Sequence, residues 1–293
     1  MRPLRTLLQQ RAIQSGIPFY IWEKDFALGF ILLAITKIPM LKNTLIFKGG
    51  TALKKIYFND YRFSEDLDFT SNGAPKGEEL TQMLTEAMKI AEVLLQQYGN
   101  FTLEIKRKPE KRPHPLEQEA FLVGIKFPWH SSINCRIKIE ITRNELIFTQ
   151  PLLKPILHDY EQTAAGELLA YSLEEIYCEK LRALLQIGIR LRIRGWSRPR
   201  SRDFYDLWQI KTNFAEQLDI ALIARALPKK CAIRDIVYAN TEDFLTSEVV
   251  SEGRKHWESN LKDFVRDLPD FDVVLDEVAA SIKEICQLKA RAD

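Results

Sequence analysis

At 293 residues the chain can hold one large or two ordinary domains, and 46% apolar with 28% charged residues excludes a disordered or fibrous protein. A formal net charge of +2 gives no whole-molecule pull toward a polyanion, so only local clusters of charge can speak for such a partner. Four scattered cysteines without a CxxC pair, and four scattered histidines, argue against a disulfide framework or a zinc site and for a reducing cytosol.

In chain order, residues 1–40 read as two helices. Phe26–Thr36 is the most apolar run, but it is too short to span a bilayer and Lys37 breaks it off. No secretory leader pattern precedes it, so a cytoplasmic protein without membrane contact is expected. The acids of Glu23-Lys24-Asp25 fit an ordinary helix N-terminus.

The segment Phe47–Phe69, FKGGTALKKIYFNDYRFSEDLDF, carries the chemistry. Leu45–Lys48 reads as a short strand running into Gly49, Gly50 and Thr51. Two adjacent glycines let backbone approach a phosphate closely, because no Cβ intervenes. A helix over Ala52–Phe58 would aim its free N–H groups at that anion. Leu67–Thr70 reads as a strand, and on a strand Asp66 and Asp68 share one face. Hard oxygen ligands at that spacing suit Mg²⁺ shared with substrate phosphates. A glycine turn beside an acidic edge strand, with no joint meaning, is the bland alternative.

Gly77–Tyr98 has apolar residues at helical spacing, and Phe101–Lys108, Ala120–Trp129 and Cys135–Thr142 are strand candidates. A Pro-rich basic loop, KRKPEKRPHP, joins the first two. In CRIKIEIT, Ile137, Ile139 and Ile141 fall on one face and Lys138 and Glu140 on the other. Pro151 and Pro155 mark a linker, and everything beyond Ser172 is helical in pattern. The expected architecture is α/β (α+β): a mixed-sheet domain over 1–150 and a helical domain over 151–293, with the boundary near 150–170.

Within the helical part, Ser172 and Glu175 form a capping-box pattern. From Lys180 to Arg202 there are eight Lys/Arg and no acid. Gly195 and Pro199 argue that GIRLRIRGWSRPRSR is a loop, in which Arg190, Arg192, Arg194, Arg198 and Arg200 could hold a polyanion and Trp196 could stack on a base. A solvated basic loop is the plainer reading. In RDFYDL, Asp203 is a helix-start acid with Arg202 as its local partner.

The string GGT…SEDLDF resembles the core motif of DNA polymerase β-like nucleotidyltransferases. With EKLRAL and RDFYDL downstream in the same order, the chain resembles the AbiEii/AbiGii-type, MenT-like toxins of that superfamily. The resemblance implies a polymerase β-like nucleotidyltransferase domain followed by a helical domain. It implies an NTP substrate, Mg²⁺ or Mn²⁺ held by Asp66 and Asp68 with a third carboxylate from a later strand, where Glu140 stands, and nucleotide contacts from Lys48, Gly49, Gly50, Thr51 and Ser64. Ser64 and Thr51 match hydroxyls open to inhibitory phosphorylation, and Glu23–Asp25 matches the family's early helix. Lys180 matches a phosphate-binding lysine and Asp203 an active-site acid. The implied role is a toxin of a toxin–antitoxin or phage-defence pair, with a cognate antitoxin and a tRNA 3′ end as acceptor. A protein or small-molecule acceptor, or a non-catalytic binding module, are the alternatives.

Overall fold

The computed structural model describes residues 3–109, 117–158, 160 and 165–290; much of the expected KRKPEKRPHP loop lies outside them. The chain divides into two compact units, residues 1–145 with 151–171 and residues 146–150 with 172–293.

The first unit opens with α1 (Leu4–Ser15), α2 (Phe19–Thr36) and α3 (Pro39–Thr44). Its sheet has seven strands: β1 (Leu45–Lys48), β2 (Asp66–Ser71), β3 (Thr102–Lys108), β4 (Gln118–Lys126), β5 (Cys135–Thr142), β6 (Leu152–Pro155) and β7 (Glu167–Ala170). They lie in the order β3-β4-β5-β2-β1-β7-β6, with β2/β5 and β1/β7 parallel and the remaining pairs antiparallel.

Period-two alternation gives this sheet two chemically distinct faces. Phe47, Leu67, Phe69, Phe121, Val123, Ile137, Ile139 and Ile141 are fully buried. The register aligns Phe47 with Phe69, Leu67 with Ile139 and Phe69 with Ile141, so these side chains form one continuous apolar face. Helix α2 packs against β5 and β7, and α5 (Gly77–Leu95) packs against α2 and β3. Helix α2 is apolar almost all round, as befits a helix buried on every side. The opposite face carries Lys48, Asp66, Asp68, Thr70, Lys138, Glu140 and Thr142.

Three expectations change here. The stretch around Pro151 and Pro155 is not a linker: it supplies β6, an edge strand, where a proline costs no ladder bond, and leads to β7, which pairs with β1. The helix after the glycines starts earlier than Ala52. It comprises α4 (Gly49–Ala52) followed by a π-helical turn, Leu53–Tyr57. Glu23 and Asp25 lie beyond the first turn of α2 and are buried partners, not helix-start acids. Glu23 accepts from the Trp129 indole at 2.6 Å, and Asp25 pairs with Lys55 at 2.8 Å. Burial alone would raise the Asp25 carboxyl, but Lys55 and Lys54 together hold it below the usual range.

In the second unit, α6 (Leu173–Arg194), α7 (Ser201–Phe214), α8 (Ile220–Ala232), α9 (Ser247–Lys255), α10 (Trp257–Leu261) and α11 (Phe271–Ala290) pack on one another. Helix α6 runs on through Arg190, Arg192 and Arg194, which the sequence reading assigned to a loop. Gly195 ends it as a left-handed cap (φ 71°), its amide donating to Leu191 O at 2.8 Å. The helix breaker therefore sits after the arginines and closes the helix that carries three of them. No helix among the described residues is long and apolar enough to cross a membrane.

Candidate active site

The turn from β1 into α4 needs its first glycine. Gly49 has φ +79°, and a Cβ there would lie 2.6 Å from Asp68 Oδ2. A Cβ on Gly50 would collide with the Arg62 guanidinium and touch Ser64 Oγ at 3.4 Å. Backbone thus passes directly against the carboxylate of β2 on one side and the Ser64 hydroxyl on the other. Thr51 is buried, and its hydroxyl donates to the backbone carbonyl of Asp66. That bond ties the glycine turn to the carboxylate strand, so the Thr51 hydroxyl is already committed within the protein.

Asp68 stands opposite Lys48 on β1 and Glu140 on β5, and Asp66 lies opposite Lys138. Asp66 is exposed and Asp68 half-buried, and neither side chain has an ion pair or hydrogen bond among the described residues. The Asp68 carboxyl is pushed up to about 7, by burial first and then by the negative charge of Glu140, with Lys48 partly opposing. Although its residue is exposed, the Asp66 carboxyl is raised too, by partial desolvation against the sheet and by Glu65 and Glu140, with Lys138 opposing. Glu140 is better compensated, pairing with Lys138 at 2.6 Å and accepting from Gln118.

Lys48 does not project freely from the strand end. Its ammonium donates to Thr142 Oγ1 at 2.7 Å and pairs with Glu145. Glu145 also accepts from Thr70 at 3.0 Å and Thr142 at 2.8 Å, and Thr70 bonds the Tyr171 hydroxyl at 2.7 Å. Glu145, Gln118, Arg62 and Tyr171 are neighbours the sequence reading missed. Arg62 stands within the Phe47–Phe69 segment but between its two motifs, and Glu145, Gln118 and Tyr171 come to the face only by strand register or chain return.

In the second unit, Lys180 is buried against two acids, Asp203 (2.9 Å) and Asp206. Asp203 is thus partnered by Lys180 and, at 3.4 Å, by Arg200. The expected local partner, Arg202, instead donates to Asn260 O at 3.2 Å. Asp206 is fully buried and pairs with the same Lys180 ammonium. The capping box is half made: Ser172 Oγ accepts from the Glu175 amide at 3.2 Å. The Glu175 carboxylate turns away to Lys230 and to the amides of Phe148 and Thr149, pinning residues 146–150 into this unit.

The sequence pattern of the nucleotidyl transferase AbiEii toxins of type IV toxin–antitoxin systems matches residues 31–277. The chain belongs to this family. A crystal structure described as a "putative nucleotidyltransferase from H. pylori" superposes with a TM-score of 0.53 at 19% identity, covering 91% of this chain and 97% of that one. At that identity the likeness speaks for the fold alone. No curated protein matches.

An AbiEii nucleotidyltransferase implies a divalent metal with its NTP. Among the described residues no group of three or more His, Cys, Asp or Glu side chains is arranged to hold a metal ion. The donor set nevertheless fits one. Two carboxylates without an ion pair share a face, both with proton affinity raised by burial and by acidic neighbours, and a hard cation relieves that cost. The remaining ligands would come from substrate phosphates.

Proposed function

We propose that this AbiEii-family toxin transfers NMP from an NTP to an acceptor hydroxyl, and that the acceptor is the 3′ end of a tRNA, which blocks aminoacylation and translation. The observation that carries the transferase reading is the approach of Gly49 to Asp68, on a sheet face where Asp66, Asp68 and Glu140 stand side by side.

Asp66 and Asp68, with Glu140 beside them, would hold Mg²⁺ or Mn²⁺. The ion supplies charge neutralisation at the reacting phosphate and its leaving group. Gly49 and Gly50 offer backbone to the triphosphate without Cβ hindrance. Ser64, against Gly50, and Lys48, beside Asp68, are polar groups within the same turn, and Thr51 holds that turn to β2. Lys180 serves the phosphates, as the family pattern implies, and Asp203 orients its ammonium. The tRNA reading is supported by the arginines 190, 192, 194, 198 and 200, since forked guanidiniums suit a phosphate backbone. A cognate antitoxin and a cytoplasmic site of action go with the family and with substrates found there.

The test incubates purified protein with each α-labelled NTP, total tRNA and Mg²⁺ or Mn²⁺. Label on tRNA is expected. Label on protein, or on an added small molecule alone, would replace tRNA as the acceptor. No label anywhere would return the chain to a binding role.

A further inference from the structure

The last turn of α6 and the loop after it leave cations unpaired. Arg190, Arg192, Arg194 and Arg198 are exposed, and among the described residues none lies within ion-pair distance of a carboxylate, although Glu248 is near enough to feel Arg192. Arg190 and Arg194 are four residues apart and so lie on one face of α6. The α7 N-cap, Arg200, comes back close enough that Arg200 and Arg194, after partial desolvation, together depress the Arg190 guanidinium. Arg200 is partly met by Asp203, while Arg190 and Arg194 share one face with no carboxylate in ion-pair reach, which leaves a positive surface suited to an external anion.

A second observation gives the anion its class. Of the five tryptophans only Trp196 is exposed, at 66%, and Ile193, just before the cap, is 74% exposed. Gly195 makes this possible, because its left-handed conformation turns the chain out of the helix immediately before the indole. An exposed indole among arginines presents a flat π-face beside fixed positive charge, the combination that stacks on a base and holds its phosphate. An RNA duplex cannot, since its bases are stacked on one another and its deep groove excludes side chains. An unpaired strand offers both a base face and a phosphate every residue.

We infer that the end of α6 and the loop after it bind single-stranded nucleic acid, with Trp196 stacking on a base while Arg190 and Arg194 hold adjacent phosphates. The inference deepens the RNA-acceptor reading and rests on it: the element recognised is an unpaired end, not a helical arm.

Binding is measured by fluorescence anisotropy on the full chain, at several salt concentrations. The probes are a short unstructured RNA, the same sequence as a blunt duplex, and vesicles rich in phosphatidylserine. The unstructured RNA should bind more tightly than the duplex and quench tryptophan emission, and Trp196→Phe should abolish that quenching. Trp196→Ala should weaken the single strand roughly tenfold with no change in salt slope. Arg190→Gln and Arg194→Gln should each flatten the slope of log affinity against log salt by about 0.7. Both positions are exposed, so unchanged melting temperatures are expected and are checked alongside. Equal affinity for duplex and single strand, wild-type affinity in Trp196→Ala, or binding to vesicles alone would each overturn the inference. Labelling of tRNA is scored separately. If tRNA is labelled but Trp196→Ala binds normally, this inference falls and the acceptor stands. If Trp196→Ala loses binding and tRNA is not labelled, the reverse holds.

Discussion

Asp68 concentrates the electrostatic cost of this site. Its carboxyl moves from 3.8 to about 7 because burial and Glu140 both disfavour its charge. Between those values the folded state holds a proton that the unfolded state has lost. Stability therefore falls as pH rises through that window, and the penalty is complete above about pH 7. Asp68→Asn should raise the melting temperature at about pH 8 and leave it unchanged at about pH 4, measured by thermal denaturation without metal. A bound cation works in the opposite sense, competing with that proton. Calorimetric Mg²⁺ or Mn²⁺ affinity should strengthen with pH up to about 7 and then level off. Asp66→Asn and Asp68→Asn should each cut NMP transfer by at least about a hundredfold with an unchanged circular-dichroism spectrum. Glu140→Gln should lower the rate less and raise the Mg²⁺ requirement, because Lys138 and Gln118 already compensate Glu140. Gly49→Ala combines a left-handed φ with a Cβ 2.6 Å from Asp68 Oδ2, so it should lose both stability and transfer.

At the scale of elements, α6 decides how the second unit is organised. Its N-terminus is capped by Ser172, its first two turns carry Glu175, Glu179 and Lys180 in buried or half-buried ion pairs, and its end presents the arginines. Lys230 is 3% exposed and pairs with both Glu175 and Glu179. Lys230→Met should cost about 3 kcal/mol in urea denaturation, because it leaves a fully buried carboxylate without its cation. Gly195→Ala meets nothing within 4 Å, so only the left-handed backbone opposes it. The expected loss is about 1 kcal/mol, with fraying of the Arg190–Arg194 turn visible in hydrogen exchange. The sequence hid this helix because Gly195 and Pro199 resemble the interior of a loop. Composition alone cannot tell a breaker that interrupts arginines from a cap placed after them. Residues 151–155 misled in the same way, since proline excludes a central strand but not an edge one.

For the whole molecule, a core without disulfides has to stand on packing. Cys135, Cys178 and Cys231 are buried free thiols, and burial pushes Cys135 and Cys231 up to about 12. Cys286 is only half-buried. An aromatic disulfide reagent should therefore modify Cys286 first in the native protein and all four thiols only after denaturation, and the melting temperature should not depend on reductant. The sequence by itself determined the sheet's chemistry. Strict alternation in DLDF and IKIEI assigns carboxylates to one face and aliphatics to the other wherever those strands pair, and the double glycine announces a close backbone approach. The family is legible for the same reason, since its motifs are contiguous. Only tertiary structure decided which residues meet across register: Glu140 beside Asp68, Lys48 held by Glu145 and Thr142, Asp25 matched to Lys55, and Lys180 enclosed by Asp203 and Asp206. Those pairings join positions up to 97 residues apart. They depend on which strands neighbour one another and how the chain returns to the sheet, and no local periodicity encodes that.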